Sequence, residues 1–340
     1  MTLNKKKDII IKNENIQNIY ELYKRGMKMS FKKFVSIIIS LILCTTIFLG
    51  CKNKEEESKK GAIKIGYLPI THALPLYAEK DAEGANIELV KFGSWPELMD
   101  ALNSGKIDGA SVLIELAMKA KAQGVDLKAV AFGHKEGNAV VVSEDINSVS
   151  DLKGKNFAIP SKLSSHYILT NEMMKEANLT VKDLNIIELS PTEMPVALQE
   201  GRISGYCVAE PFGAISVVNG NAKTLKQASD LIENSICCAL VLRGEFIKDK
   251  ANDAEELVKK YVEAAKSLED KELALKTAKS FLRTDKKVID LSLQWIDFDK
   301  LKIEKEDYER LLGEIKELNL MDNPPSYEDF VDNSLIDKAE

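Results

Sequence analysis

This chain of 340 residues contains three histidines, and each stands where an apolar run gives way to polar residues. His72 comes just after AIKIGYLPI, His134 ends LKAVAFGH, and His166 follows NFAIPS. An imidazole in such a loop can donate to an anion or change charge near about pH 6.5. It can also ligate a borderline metal such as zinc, so His72, His134, His166 and Cys207 form the candidate metal set. No HxH or CxxC spacing supports a metal, and no cofactor is expected. Trp95 beside a helix start could stack on a flat ligand or pack as a lid. Glu210, ahead of a proline and after an apolar strand, could accept from a ligand or stitch two parts of the fold together. Cys237 and Cys238 are neighbours, but nothing around them predicts a reactive thiolate, and they read as strand core.

These side chains need elements to position them. AIKIGYLPI, IELVKF, IDGASVL and LKAVAFGH are short runs of strand type, separated by helical stretches such as LPLYAEK, PELMDALN and ELAMKAKA. Strands alternating with helices of about ten residues predict parallel sheet and an α/β class. The pattern restarts at Asn156 with NFAIPS, a helix over SSHYILTNEMMKEANL, the strand NIIELS, a second helix and SGYCVAEP. SICCALVLRGEF is a further strand, and residues 253–320 read as mostly helical from their apolar spacing. A short tail after Pro324-Pro325 must dock on the body.

One phrase occurs twice, as SWPELMDALNSGKIDG at residues 94–109 and SPTEMPVALQEGRISG at residues 190–205. At this offset Ser94/Ser190, Glu97/Glu193, Ala101/Ala197, Leu102/Leu198, Gly105/Gly201, Ile107/Ile203 and Gly109/Gly205 are identical. Ser-x-x-Glu is a capping box at a helix start. Ala-Leu belongs on the packed face, and the first glycine suits the left-handed residue that ends a helix. Two similar α/β lobes are therefore expected, residues 61–150 and 151–245, with residues 246–340 packing back mainly on the first.

Ligands of open α/β sheets bind beyond the carboxyl ends of strands, where helix N-termini point their N–H groups outward. On that edge the first lobe places Thr71 and His72, Ser94 and Trp95, Leu113 and Ile114, and His134. The second lobe offers Ser161, Ser164, Ser165, His166, Thr192 and Glu210. A cleft between the two edges is the expected binding site. No P-loop, GxGxxG, G-x-S-x-G or spaced triad marks the chain as an enzyme.

Charge divides the chain unevenly. Residues 1–50 carry nine Lys/Arg against three Asp/Glu, which leaves 38 against 50 in residues 51–340. That acidic remainder argues against a nucleic-acid partner. At the front, Lys28, Lys32 and Lys33 precede an apolar run over residues 34–50, followed by KNKEEESKK after Cys51. A basic region, an apolar core and a small residue before a cut form an export signal. FLGC at residues 48–51 resembles a bacterial lipobox, which implies cleavage before Cys51 and lipid on its sulfur. Residues 1–26 sit oddly before such a signal, and translation is expected to begin at Met27 or Met29. Residues 51–60 read as a solvated tether. Removal of Cys44 and lipidation of Cys51 leave Cys207, Cys237 and Cys238, an odd set with no disulfide framework. Buried small hydrophobes are expected there.

GYLPITHALPLYAEK, SWPELMDALNSGKIDGASVL, GYCVAEPFGAISV and the tail YEDFVDNSLIDKA, in this order, resemble one family. It is the nitrate/sulfonate/taurine/bicarbonate-type substrate-binding proteins of ABC importers, which includes receptors for thiamine-pyrimidine precursors. The resemblance covers about residues 61–338. It implies a type II periplasmic-binding-protein fold, two hinged lobes closing on a small ligand, and a lipid-anchored monomer on the outer face of the cytoplasmic membrane. The implied partners are an ABC permease and its ATPase, and no enzymatic activity is implied. His72 stands where nitrate- and bicarbonate-type members often carry an acidic residue, so a sulfonate or taurine-like oxyanion is the expected ligand. A pyrimidine precursor, nitrate or bicarbonate, and zinc are the alternatives. Related pyrimidine-synthesising enzymes carry a fuller His/Cys box than the Cys237-Cys238-Ala-Leu-Val-Leu found here.

Overall fold

The short apolar runs become strands, of which those inside the sheets, such as residues 109–113 and 205–209, are buried on both faces. The computed structural model describes residues 61–339. The export signal, the two candidate start methionines, Cys51 and the tether lie outside the described residues. Among the described residues no helix is long and apolar enough to cross a membrane.

The first sheet begins with β1 (Ile63–Tyr67), β2 (Ile87–Lys91), β3 (Gly109–Leu113) and β4 (Leu127–Phe132), with α1 (Leu74–Asp81), α2 (Trp95–Asn103) and α3 (Ile114–Ala122) between them. After the short β5 (Lys135–Glu136), the second sheet uses β6 (Asn138–Ser143), β7 (Asn156–Ile159), β8 (Asn185–Glu188), β9 (Gly205–Ala209) and β10 (Ala222–Gln227). Its helices are α4 (Ser165–Lys175), α5 (Met194–Gln199) and α6 (Phe212–Val218). The chain then returns to the first sheet as β11 (Cys238–Arg243).

Strand orders are β2-β1-β3-β11-β4 and β10-β6-β9-β7-β8. Read from β8, the second order repeats the first. Each sheet has three parallel strands, then one antiparallel strand that arrives from the other sheet. This exchange corrects the lobe boundaries expected from the sequence. Residues 138–143 belong with the second lobe, and residues 238–243 pair with β3 and β4 of the first. Sequence order could not reveal this, because strand partners are chosen by long-range pairing.

The repeated phrase folds alike in both places. Lys106 N–H reaches the Ala101 carbonyl at 3.0 Å, and Arg202 N–H reaches Ala197 at 2.9 Å. Gly105 and Gly201 take φ of 72° and 69°. That is the Schellman ending, in which a left-handed residue lets the chain satisfy the last carbonyls. The two starts differ: Ser94 caps α2 through the Glu97 N–H, whereas Glu193 bonds back to the Ser190 N–H one turn before α5 begins.

Beyond β11 come α7 (Gly244–Asp249), α8 (Ala251–Ser267), α9 (Lys271–Leu282), α10 (Lys286–Ser292), the short β12 (Ile296–Asp297), α11 (Lys305–Glu317) and α12 (Tyr327–Phe330). α8 and α9 pack on α1 of the first lobe, while α10 packs on α6 of the second. The tail docks where Asp332 N–H meets the Ala129 carbonyl on β4.

Candidate functional site

β1 ends in a short 3-10 turn carrying Thr71 and His72, both fully buried. Thr71 N–H donates to the Glu210 carbonyl of the second lobe at 2.9 Å. His134, at the end of β4, places Nδ1 3.1 Å from the Lys135 carbonyl and Nε2 2.9 Å from the Thr71 hydroxyl. Burial, then the neighbouring His72, hold the His134 imidazole well below its ordinary range, so the ring is neutral near pH 7. A carbonyl only accepts, so Nδ1 carries the proton, and the single Thr71 hydroxyl proton is shared between Nε2 and the Glu210 carbonyl at 3.1 Å. Both ring nitrogens are thus occupied by the fold, and His134 is removed from the direct-ligand set. Its face stacks on His72, with ring centroids 3.8 Å apart. The Gly133 backbone lies so close that a Cβ there would stand 2.5 Å from the His72 carbonyl oxygen.

His72 is held from both sides, yet neither of its ring nitrogens has a hydrogen-bond partner. The same is true of His166, in the first turn of α4 and 1% exposed. Burial lowers the His166 imidazole below its usual range. Glu115, in the first turn of α3, is fully buried with neither carboxylate oxygen hydrogen-bonded. Burial first, then the Cys237 charge, push its carboxyl well above the usual range. Glu115 was not singled out from the sequence. Its signal was a lone charge inside the apolar run VLIELA, immediately after the named Leu113 and Ile114.

Cys237 and Cys238 bring sulfur to this place. The Cys237 carbonyl accepts from Ile114 N–H, which ties the start of β11 to the start of α3. One ligand atom each from His72, Cys237 and Cys238 lies within 4.8 Å of the others. Burial alone would raise the Cys237 thiol. The Cys238 hydrogen bond and the His72 and His166 charges outweigh it, so the thiol stands well below its ordinary range. Burial, then the Cys237 hydrogen bond, push the Cys238 thiol up. Cys207, the sulfur grouped with the histidines from sequence, sits instead in the apolar cluster of the second lobe with Val140, Val142 and Phe157. Burial raises its thiol.

The other expected residues separate into two groups. Ser94, Trp95 and Ser161 line an open cavity of about 470 Å³ between the lobes, where Ser94 faces Ser190 of the second copy of the repeat. Trp95 is 4% exposed, and its indole N–H has no partner. Ser164 caps α4, Ser165 is buried with an unpartnered hydroxyl, and Leu113 and Ile114 are core. Thr192 is exposed and bonds only to Ser190. Glu210 does stitch the fold: Oε2 accepts from the Ala214 N–H and the Ser292 hydroxyl. Burial raises its carboxyl to about 7, against the lowering effect of those two bonds.

Among the described residues the buried polar side chains include histidines, glutamates, serines and threonines, but neither lysine nor arginine.

Comparison with known proteins gives this geometry a context. A ligand-binding component of an ABC-type import system from Staphylococcus aureus, crystallised with zinc bound, is 40% identical; the match covers 82% of this chain and 99% of that one, with a TM-score of 0.79. The periplasmic aliphatic sulphonate binding protein of Escherichia coli shares the fold at 22% identity, with a TM-score of 0.65 and coverage of 79% and 91%. An Escherichia coli protein named for aliphatic sulfonate binding is 29% identical over 206 residues, 57% of this chain and 63% of that protein. The chain thus spans less than two thirds of that relative, and 35% of the nitrate import ATP-binding protein of Synechocystis. Residues 56–282 match the NMT1-like family, a stretch that takes in both sheets, and the chain belongs to that family.

Proposed function

We propose that the protein is an extracytoplasmic solute receptor of an ABC importer, which closes its two lobes over a small ligand and presents it to the permease and its ATPase. One observation carries this reading. Buried polar atoms without hydrogen-bond partners occur in both lobes, on His72 and Glu115 of the first and on Ser165 and His166 of the second. Folded proteins leave few such atoms unsatisfied, and such a set calls for a partner. The relatives are named as binding proteins and import components, which supports a receptor rather than a catalyst. Lipid on Cys51 would hold the receptor at the membrane, since two or more acyl chains give stable anchoring.

Two ligand classes have support. The buried acceptors Glu115 and Cys237 oppose an anion and suit a cation, and the relative from Staphylococcus aureus was crystallised with zinc. A sulfonate or taurine-like oxyanion is the second reading. For it stand the open cavity beside the Ser94-capped start of α2, lined also by Lys119, and the relatives named for sulfonates and taurine.

A melting panel of taurine, alkanesulfonates, nitrate, bicarbonate, pyrimidines and zinc tests the receptor reading. A ligand at 100 times its Kd stabilises by about 2.7 kcal/mol, enough to move Tm by several degrees. The expected result is a rise with one class and a smaller radius of gyration in solution scattering. A panel in which no compound moves Tm or the radius would sink the proposal.

A further inference from the structure

We propose that the enclosed site binds one soft or borderline transition-metal ion, ligated by His72, Cys237 and Cys238 of the first lobe and by His166 of the second. The inference rests on the receptor reading and names the substrate class of that site.

The geometry is close to what such an ion needs. The two sulfurs are 3.8 Å apart. A tetrahedral ion with metal–sulfur bonds of about 2.3 Å requires a sulfur–sulfur edge of about 3.8 Å. The His72, Cys237 and Cys238 ligand atoms already lie within 4.8 Å of one another, so a small contraction completes three corners. His166 is 1% exposed, and both of its ring nitrogens lack a hydrogen-bond partner. It comes from the opposite lobe, so the fourth bond is made only when the lobes are together. Occupancy and closure are then one event.

Three surrounding groups fit the same role. His134 stacks on His72 while using both its own nitrogens, which fixes the plane of the ligating ring without competing for the ion. Asn138 accepts the Cys237 S–H at 3.6 Å, and its amide nitrogen is unpartnered. Once the thiol has lost its proton, a turn of that amide makes it a donor to the thiolate, the kind of outer partner that orients metal ligands. Glu115 adds a buried carboxyl without a hydrogen-bond partner, whose ionised form a nearby cation would favour. Hard ions such as magnesium take oxygen ligands and regular octahedra, which two sulfurs and two imidazoles do not offer. Each thiol that ligates releases one proton to solvent, and no electron is transferred.

The test uses the full chain, reduced and freed of metal by a chelator. Zn²⁺ is titrated against a chromophoric competitor, and Co²⁺ replaces it for absorption spectra. The expected results are one ion per chain, proton release on binding, and a thiolate-to-cobalt charge-transfer band with the intense visible bands of a tetrahedral site. Cys237→Ser and His166→Gln should each weaken Zn²⁺ by at least about a hundredfold, the upper end of what outer partners alone contribute. Circular dichroism confirms that each metal-free variant is folded. Because the two substitutions lie in different lobes, failure of one to fold leaves the other informative. Metal bound with no thiolate band, or with full affinity in both folded variants, overturns the site. No metal binding, with taurine or methanesulfonate raising Tm, overturns the metal and leaves the receptor standing. Silence from every probe overturns both.

Discussion

The two lobes share a strand order and a repeated helix–strand unit, yet they use them differently. In the first lobe the paired positions carry Ala110 and Ser111, and the Ser111 hydroxyl lies 3.4 Å from the His72 carbonyl. At the same positions the second lobe carries Tyr206 and Cys207. The Tyr206 hydroxyl bonds Phe212 and Ser216 within its own lobe, and Cys207 is packed among apolar side chains. The carboxylates divide likewise. Glu115 of the first lobe is buried without hydrogen bonds, while Glu210 of the second is satisfied by Ala214 and Ser292. At these paired positions the second lobe uses its polar atoms within the fold, while elsewhere both lobes keep unpartnered ones, Glu115 in the first and Ser165 and His166 in the second. A duplicated unit thus supplies a symmetric frame, and the substitutions on it make the two halves chemically different.

The repeat itself offers the strongest test of that shared frame. Leu102 and Leu198 are 0% and 4% exposed, so truncating either to Ala should cost about 2–5 kcal/mol in urea unfolding. Similar losses would support equivalent frames, whereas a loss in one lobe alone would break the equivalence. A pH-dependent effect comes next. Because the Glu210 carboxyl is raised to about 7 by burial, the folded state holds its proton between roughly pH 4.5 and 7 while the unfolded chain has lost it. Its contribution is complete below that window and disappears as pH rises through about 7. Glu210→Gln should therefore flatten the fall in stability by an amount on the order of 3 kcal/mol, read from urea midpoints at pH 5 and 8. An unchanged slope would mean that Glu210 ionises as freely as an exposed carboxyl.

Smaller effects sharpen the comparison. Gly109 and Gly205 are paired, and a Cβ at each would meet the carbonyl oxygen of a neighbouring strand, at 2.7 Å from Val241 and 2.9 Å from Val141. Alanine at Gly109 should cost about 1–3 kcal/mol, and more than at Gly205, because Leu242 also stands 2.5 Å from the added carbon. The reverse order in thermal melts would show that the first sheet yields more easily. Ser94→Ala removes the true cap of α2 and should cost about 1 kcal/mol. Ser190→Ala should cost less, since its partner Glu193 keeps the Ser190 N–H.

Much of the frame was legible because its signals are local. Gly105 and Gly201 mark helix ends through backbone freedom, and Ala-Leu at one spacing marks a packed face. The second half of the frame was not legible. That β6 and β11 exchange lobes depends on which exposed strand edge each meets, and no window of sequence contains that information. The site was read in part. His72 and His166 were named from their loops and both are buried with unpartnered ring nitrogens, whereas His134 was named alike and is occupied by Thr71 and Lys135. Cys207 was grouped with them because it follows an apolar strand. Strand parity then turned it into the second-lobe core, while Cys237, just ahead of β11, was carried across to His72.

By itself the sequence determined the α/β alternation, the two similar lobes, and the loops from which binding groups would come. All of these follow from periodicity, capping and turn chemistry within a dozen residues. Only the tertiary structure decided which polar groups remain without partners. That depends on what the other lobe delivers: a carbonyl to Thr71, a histidine toward Cys237, and a sulfur pair returned to the first lobe by β11. Hydrogen-bond satisfaction belongs to the whole fold, and the proposed binding site is built from what the fold left unsatisfied.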